Sequence, residues 1–326
     1  MRKYNILVTG VGAIIGYGVI SSLRKSKYDC NIVGMDIFDD AAGQVWCDEF
    51  IQAILASDDR YISFLKDIID KHQIDLVFFG TEQEIQKCYQ SKDELGEYYE
   101  KLVINTGEAI ELSEDKWKTS CFLKESGINY IKGSIDCDFE KAKGLYGLPL
   151  LLKPRKSYAS KGIIKTDSKS EFDAWKKEQG EQFMVQEMIG DENHEYTAAT
   201  FAFGDGSCIK PIVMRRKLSK AGATDKAIVE PVPEIDVEIY KIVKALKPIG
   251  PTNFQFRLHK GVYLLLEINP RISSSTSIRT AFGYNEAEMC IEYFIEGHKP
   301  EERNLLSGKA YRYITEAVIY NDCNNI

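Results

Sequence analysis

Between Asn253 and Arg271 the sequence prescribes a hairpin with one apolar face and one polar face. In Asn253-Phe254-Gln255-Phe256-Arg257-Leu258 the phenylalanines alternate with Asn253, Gln255 and Arg257, so a strand puts rings on one side and polar groups on the other. His259-Lys260-Gly261 supplies a turn, and Tyr263-Leu264-Leu265-Leu266-Glu267-Ile268-Asn269-Pro270-Arg271 returns as a second strand. Glu267 and Asn269, two apart, point the same way. A hairpin would bring Gln255 close to them, in a register that sequence alone leaves open. One carboxylate and one or two amide oxygens are hard ligands suited to Mg²⁺ held jointly with phosphates. Glu267, Asn269 and Gln255 are therefore the candidate metal ligands, and Arg271 adds a fixed cation. Polar residues of an edge strand facing water are the plainer alternative, and the apolar lead-in Leu264–Leu266 argues against it.

Two further segments carry chemistry. Leu148-Pro149-Leu150-Leu151-Leu152-Lys153-Pro154 is a buried-looking strand ending in a lysine, followed by the cationic loop Arg155-Lys156-Ser157-Tyr158-Ala159-Ser160-Lys161-Gly162. Such a loop between strands can fold over polyphosphate, offering backbone N–H groups and positive charge, or can be a solvated hairpin tip. Met184-Val185-Gln186-Glu187-Met188-Ile189 leaves an acid at the end of a strand, and His194-Glu195-Tyr196-Thr197 begins another. An apolar slot bordered by carboxylates suits an adenosine. The basic run Arg215, Arg216, Lys217 and Lys220 reads equally as solvated surface or as a site for a substrate carboxylate.

The first part of the chain alternates strand and helix. Asn5–Thr9, Ile32–Asp36 and Asp75–Phe79 read as strands, and Arg60–His72 has helical apolar spacing, which implies a doubly wound parallel sheet. Thr9-Gly10-Val11-Gly12-Ala13-Ile14-Ile15-Gly16, with Asp36 ending the next strand, invites a dinucleotide reading. Its G-x-G-x-x-x-G spacing is one residue longer than the commonest form, and a tight strand-to-helix turn needs such glycines with or without a cofactor. Ser113-Glu114-Asp115-Lys116 offers a helix N-cap, with an amphipathic helix running to about Glu125. From Leu148 onward strands dominate, with helices near Ser168–Glu178, Ile235–Lys247 and Asn285–Phe294. Packed units with boundaries near 112 and 190 follow.

Bulk properties narrow the class. A chain of 326 residues, 44% hydrophobic and 28% charged, can bury a real core in two or three units. A net charge of −7 argues against nonspecific nucleic-acid binding. No run approaches the roughly 18 apolar residues of a membrane span, and the N-terminus enters a strand-like run without a secretory signal, so a cytoplasmic location is expected. The 8 cysteines and 4 histidines are scattered, which fits reduced thiols and no transition-metal site.

Taken in order, these segments resemble the ATP-grasp superfamily, particularly a single synthetase module of the carbamoyl-phosphate synthetase large subunit. The specific part is Gln255-Phe256 with Leu266-Glu267-Ile268-Asn269-Pro270-Arg271-Ile272-Ser273-Ser274-Ser275, close to that family's metal-binding strands and following loop. Lys153-Pro154-Arg155 with the loop to Gly162 matches its first phosphate-binding residue and lid, although Gly162 is the lid's only glycine where relatives are often richer. Gln186-Glu187 and Glu195 sit where the family places adenine- and ribose-binding residues. The glycine turn and Phe79-Gly80-Thr81-Glu82-Gln83-Glu84 look like its preceding domain, which usually helps bind the non-nucleotide substrate.

The resemblance implies an ATP-grasp fold behind an N-terminal Rossmann-like domain, with units 1–112, 113–190 carrying the lid, and 191–326 carrying the metal-binding hairpin. It implies ATP with Mg²⁺, Mn²⁺ being an alternative, and nucleotide contacts from Lys116, Lys153, Ser160, Lys161, Gly162, Gln186, Glu187, Met188, Glu195 and Gln255. The metal would lie at Gln255, Glu267 and Asn269, and catalysis would fall to Lys153 and Arg271, with Ser273–Ser277 shaping an acceptor pocket. The partners implied are a small carboxylate and an amine, with a homodimer allowed. One module of this length points to stand-alone carboxylate–amine ligases and away from bicarbonate. The rival readings are an NAD(P)-dependent oxidoreductase built on the glycine turn, which leaves Glu267–Arg271 unexplained, and a nucleotide-binding module without turnover.

Overall fold

A computed structural model of the chain describes residues 2–156, 162–220 and 222–314, together with 316 and 318. Its first sheet is parallel: β1 (Lys3–Thr9), β2 (Asp29–Asp36), β3 (Glu49–Gln52) and β4 (Leu76–Phe78) lie in the order β3-β2-β1-β4. Helices Ile14–Leu23 and Tyr61–Lys71 make two of its crossovers. Tyr61, Ile62, Leu65, Ile68 and Ile69 bury one helical face against the sheet, as their spacing predicts. The edge strand Glu49–Gln52 was not expected, because four residues with a single apolar pair leave no periodic signal.

Two antiparallel sheets follow. The smaller contains β5 (Gly133–Ser134), β6 (Leu150–Pro154), β7 (Ile164–Thr166) and β8 (Phe183–Glu187), in the order β5-β8-β6-β7. The larger contains β9 (Glu195–Phe203), β10 (Ile212–Leu218), β11 (Thr224–Val229), β12 (Ile249–His259), β13 (Val262–Asn269) and β14 (Gly308–Tyr311), in the order β13-β12-β9-β10-β11-β14. Among the described residues no helix is long and apolar enough to cross a membrane.

Between the sheets the expected helix ending at Glu125 is capped within Ser113–Lys116, and a further helix precedes it. Thr106 caps helix Gly107–Glu114 by accepting from Ala109 N, and Asp115 caps helix Lys116–Glu125 by accepting from Trp117 N and Lys118 N. Ser113 is no cap: its hydroxyl donates to Ile110 O inside the first helix. Asp115 wins because a carboxylate at this position meets two amides and a guanidinium at once. Residue 112 thus lies within a helix, and residue 190 in the link between β8 and β9.

Three packing arrangements hold the sheets. One face of the parallel sheet (Tyr4, Ile6, Val8) and one face of the large sheet (Phe201, Ile212, Met214) share a single core with Tyr284, Met289 and Ile291. Helix Ile14–Leu23 packs there against Thr276–Ala281, and a Cβ built on Gly18 would stand 2.8 Å from Thr276 Cγ2, so glycine permits the close crossing. The other face of the large sheet is covered by helix Pro233–Leu246 and by Leu123. The small sheet has its own core of Leu150, Leu152, Phe172, Trp175, Phe183 and Val185.

The large sheet also encloses a fully buried ion pair, Arg279–Glu286, at 3.3 Å. Arg279 donates to Thr197 Oγ1 and to Asn253 Oδ1, tying the helix after β13 to β9 and β12. Its Nη1 meets Glu286 and its Nη2 meets Thr197 and Asn253, while its buried Nε has no partner among the described residues.

A candidate nucleotide and metal cleft

The period of two that fills the cores also builds a site. In β6, Leu150 and Leu152 enter the small core, so Leu151 and Lys153 face the other way; in β8, Phe183 and Val185 enter it, leaving Gln186 on that opposite face. In β12, Phe254 and Phe256 enter the core under the large sheet, and Gln255 and Arg257 point out of it. The two polar faces enclose a cleft of about 970 Å³, large enough for a nucleotide (ligand pockets run about 300–1,000 Å³). Among the described residues seven lysine and arginine side chains line it against four carboxylates. In a chain of net charge −7, that local excess of positive charge marks an anion site.

Lys153 and Lys116 form its upper wall. Lys153 is buried and donates to Gln186 Oε1 at 2.7 Å. Burial, and then repulsion from Lys116, push its ammonium down to about 8. Lys116, whose backbone N–H donates to Arg155 O, is depressed mainly by burial, while Glu267 pulls it back up. A buried ammonium beside a second lysine favours an anion in the cleft.

On the lower wall the hairpin register answers the open question: Gln255 pairs with Glu267 and Asn253 with Asn269. Phe256 then pairs with Leu265, so Leu266 is the extra residue of a β-bulge, and both Leu266 and Glu267 line the cleft. Burial raises the Glu267 carboxyl, against the pull of Arg271, Lys116 and Arg216. Arg271 lies outside the lining of the cleft. Its Nη2 donates to Asn269 Oδ1 at 3.2 Å and lies 3.5 Å from Glu82 Oε2, while its buried Nε has no partner among the described residues.

Some expected contacts are differently engaged. Glu195 is buried under two guanidiniums, Arg216 at 2.9 Å and Arg257 at 2.6 Å, so its oxygens are taken up by ion pairs where a ribose contact was expected. Arg216 also donates to Gln255 Oε1 at 2.8 Å, engaging the atom that would ligate a metal. Glu187 stands at the mouth near His259 Nε2, 3.6 Å away, with Met188 beside it. Arg155 is not a loose lid cation: Asp115 holds it at 2.5 Å. Gly162 lies at φ +75°, with Pro154 Cγ 2.9 Å from where a Cβ would be, and outside the cleft lining. Ser160 and Lys161 lie outside the described residues.

Of the basic run, strand alternation separates Arg215, paired with Glu230 at 3.0 Å, from Arg216, which is buried in the cleft. Lys217 and Lys220 line the cleft as well. Lys165 and Arg257 were overlooked as site residues. Arg257 shares its strand face with Gln255, the one signal that pointed to it.

The donors fit a magnesium ion. Glu267 supplies one half-buried carboxylate and Asn269 a nearby buried amide oxygen, with Gln255 beside them. Among the described residues no three of His, Cys, Asp and Glu gather in metal-binding geometry, so a cation here would draw its further ligands from phosphate oxygens. The glycine turn fits a dinucleotide poorly. Asp36 Oδ2 accepts from Gly12 N at 2.8 Å, on the amide a pyrophosphate would need, and a Cβ on Gly12 would meet that oxygen at 3.0 Å.

A parallel α/β unit followed by two antiparallel sheets clasping a cation-lined cleft is the ATP-grasp fold. The chain is similar to ATP-grasp proteins in fold and in part of its sequence. Residues 179–317 match the family model described as "ATP-grasp in the biosynthetic pathway with Ter operon". The carbamoyl phosphate synthase large chain of Thermoanaerobacter pseudethanolicus is 27% identical over 227 residues, 64% of this chain and 21% of that one. The large chain's N-terminal section from Methanopyrus kandleri is 26% identical over 251 residues, 70% of this chain and 44% of that one. This chain therefore spans a fifth to under half of these relatives. Similar solved structures include N5-carboxyaminoimidazole synthetase from Staphylococcus aureus complexed with ADP (TM-score 0.72, 17% identity, covering 93% of this chain and 81% of that one). Biotin carboxylase from Campylobacter jejuni in a β,γ-ATP complex gives a TM-score of 0.74 at 16% identity, covering 94% of this chain and 74% of that one.

Proposed function

We propose that the chain is an ADP-forming ligase that uses ATP and Mg²⁺ to activate a small carboxylate as an acyl phosphate for attack by an amine. The observation that carries this reading is that Lys153 and Lys116 line one cleft together with the half-buried carboxylate of Glu267. Lys153 and Lys116 would hold the phosphates, and the apolar wall of Leu151, Ile163, Met188 and Leu266 would take the base. Glu267 and Asn269 would hold the magnesium, with Gln255 joining if Arg216 turns to a phosphate; the ion supplies charge neutralisation for phosphoryl transfer. Arg271, with Nε unpartnered, would donate to the transferring phosphoryl group. The substrate carboxylate oxygen attacks the γ-phosphorus, ADP leaves, and the amine then displaces phosphate.

The test combines binding and trapping. Mg-ATP should raise the melting temperature while NAD and NADP leave it unchanged, and ADP release should depend on an added carboxylate. Hydroxylamine should then capture the activated acyl group as a hydroxamate. A shift with NAD alone, or ADP release without hydroxamate, would refute the reading.

A further inference from the structure

A second cleft, of about 530 Å³, opens at the C-terminal ends of the parallel strands. Residues following all four strands line it, the crevice where open α/β sheets bind ligands. Its walls are mostly apolar: Ile37, Phe38, Ile54 and Leu55, with several alanines. Phe38 is 63% and Leu55 58% exposed, so a hydrophobic mouth stands open.

The charge inside has one sign. Asp36, Asp40 and Glu84 line the cleft, and among the described residues no lysine, arginine or histidine does. Asp36 and Glu84 are both buried, and every donor the structure gives them is neutral. Asp36 accepts from Gly12 N and Phe38 N. Glu84 accepts from Thr9 and Thr81 hydroxyls at 2.5 and 2.7 Å and from Tyr61 at 2.9 Å. Carboxylates beside a cavity without a counter-ion attract a cation and repel an anion. That excludes a pyrophosphate or a carboxylate from this space. Thr81 and Gln83 line this cleft, and Glu82 between them reaches toward Arg271 at 3.5 Å.

We infer that this cleft binds an apolar primary amine as its ammonium ion, and that this amine is the acceptor. The assignment as acceptor rests on the ligase reading above. In the transfer the ammonium first loses one proton to solvent. The nitrogen then forms the amide bond as the acyl carbon–oxygen bond to phosphate breaks, and its next proton leaves with hydrogenphosphate.

The experiment uses the full chain without nucleotide and three probes of one shape: 3-phenylpropylamine, 3-phenylpropanol and 3-phenylpropanoate. Titration calorimetry or ligand-observed NMR should show the amine binding at least tenfold tighter than the alcohol, with the carboxylate weakest. Leu55→Lys puts a cation at the exposed mouth, where folding is indifferent to it, and should weaken the amine more than tenfold while leaving the Mg-ATP thermal shift intact. Equal binding of amine and carboxylate, or an amine affinity unchanged in Leu55→Lys, overturns the site. Amine binding in a protein that gives no Mg-ATP shift upholds the site and overturns the acceptor assignment.

Discussion

Lys153 gives the fold its sharpest handle. In the folded protein its ammonium titrates at about 8, because burial and Lys116 disfavour the charge, whereas an unfolded lysine titrates near about 10.4. Between those values the unfolded chain binds more protons, so the free protein should grow more stable as pH rises. From pH 7 to pH 9 the folded lysine goes from about nine-tenths to about one-tenth charged, a gain of about 1.4 kcal/mol. Nucleotide should act in the opposite direction. Bound triphosphate supplies the counter-charge and keeps Lys153 protonated, so the Kd for Mg-ATP should weaken about tenfold across the same two pH units. Lys116, depressed by burial against the pull of Glu267, adds to both trends. Melting curves and calorimetric titrations at pH 7, 8 and 9 measure them, with Lys153→Met as the control that should flatten most of each. A Kd independent of pH, or an unaltered slope in Lys153→Met, would refute the placement of this lysine against the phosphates.

Glu267→Gln should melt near the wild-type temperature yet lose turnover by at least about a hundredfold in an ADP-release assay, since the ligand charge is gone. Glu195→Ala strands Arg216 and Arg257 without their carboxylate and should cost about 3–5 kcal/mol in denaturant unfolding; a loss below about 1 kcal/mol would mean the pair is hydrated. Gly18→Val should destabilise by about 1–3 kcal/mol through its clash with Thr276 Cγ2, and adding Thr276→Ser, which removes that methyl, should restore part of the loss.

The hairpin was legible because its signal is local. Alternation fixes which residues share a face, and the apolar run before Glu267 announces burial, so only the pairing of Gln255 with Glu267 had to come from the fold. The bulge at Leu266 was hidden, since one extra residue leaves no trace in composition. Arg155 looked like a lid cation because its partner, Asp115, is 40 residues away and acts meanwhile as a helix cap. Likewise the basic run gave no sign that Arg216 turns inward to Glu195 while Arg215 turns out to Glu230. The second cleft escaped notice for a related reason: its lining comes from four separate loops, each unremarkable alone.

The separate core of the small sheet has a consequence for how the molecule breathes. The parallel sheet and the large sheet share one core and must come apart together, whereas Leu150, Phe172, Phe183 and their neighbours could lose their packing without disturbing either. The amides of β6 and β8 should therefore exchange through a lower-energy opening than those of β1, β9 and β12. A nucleotide gripped by Lys153 on one body and Glu267 on the other would lie across the seam. Occupancy of the cleft would then be read out as protection spreading into β6 and β8, the ligand serving as the rivet that makes two cooperative units unfold as one.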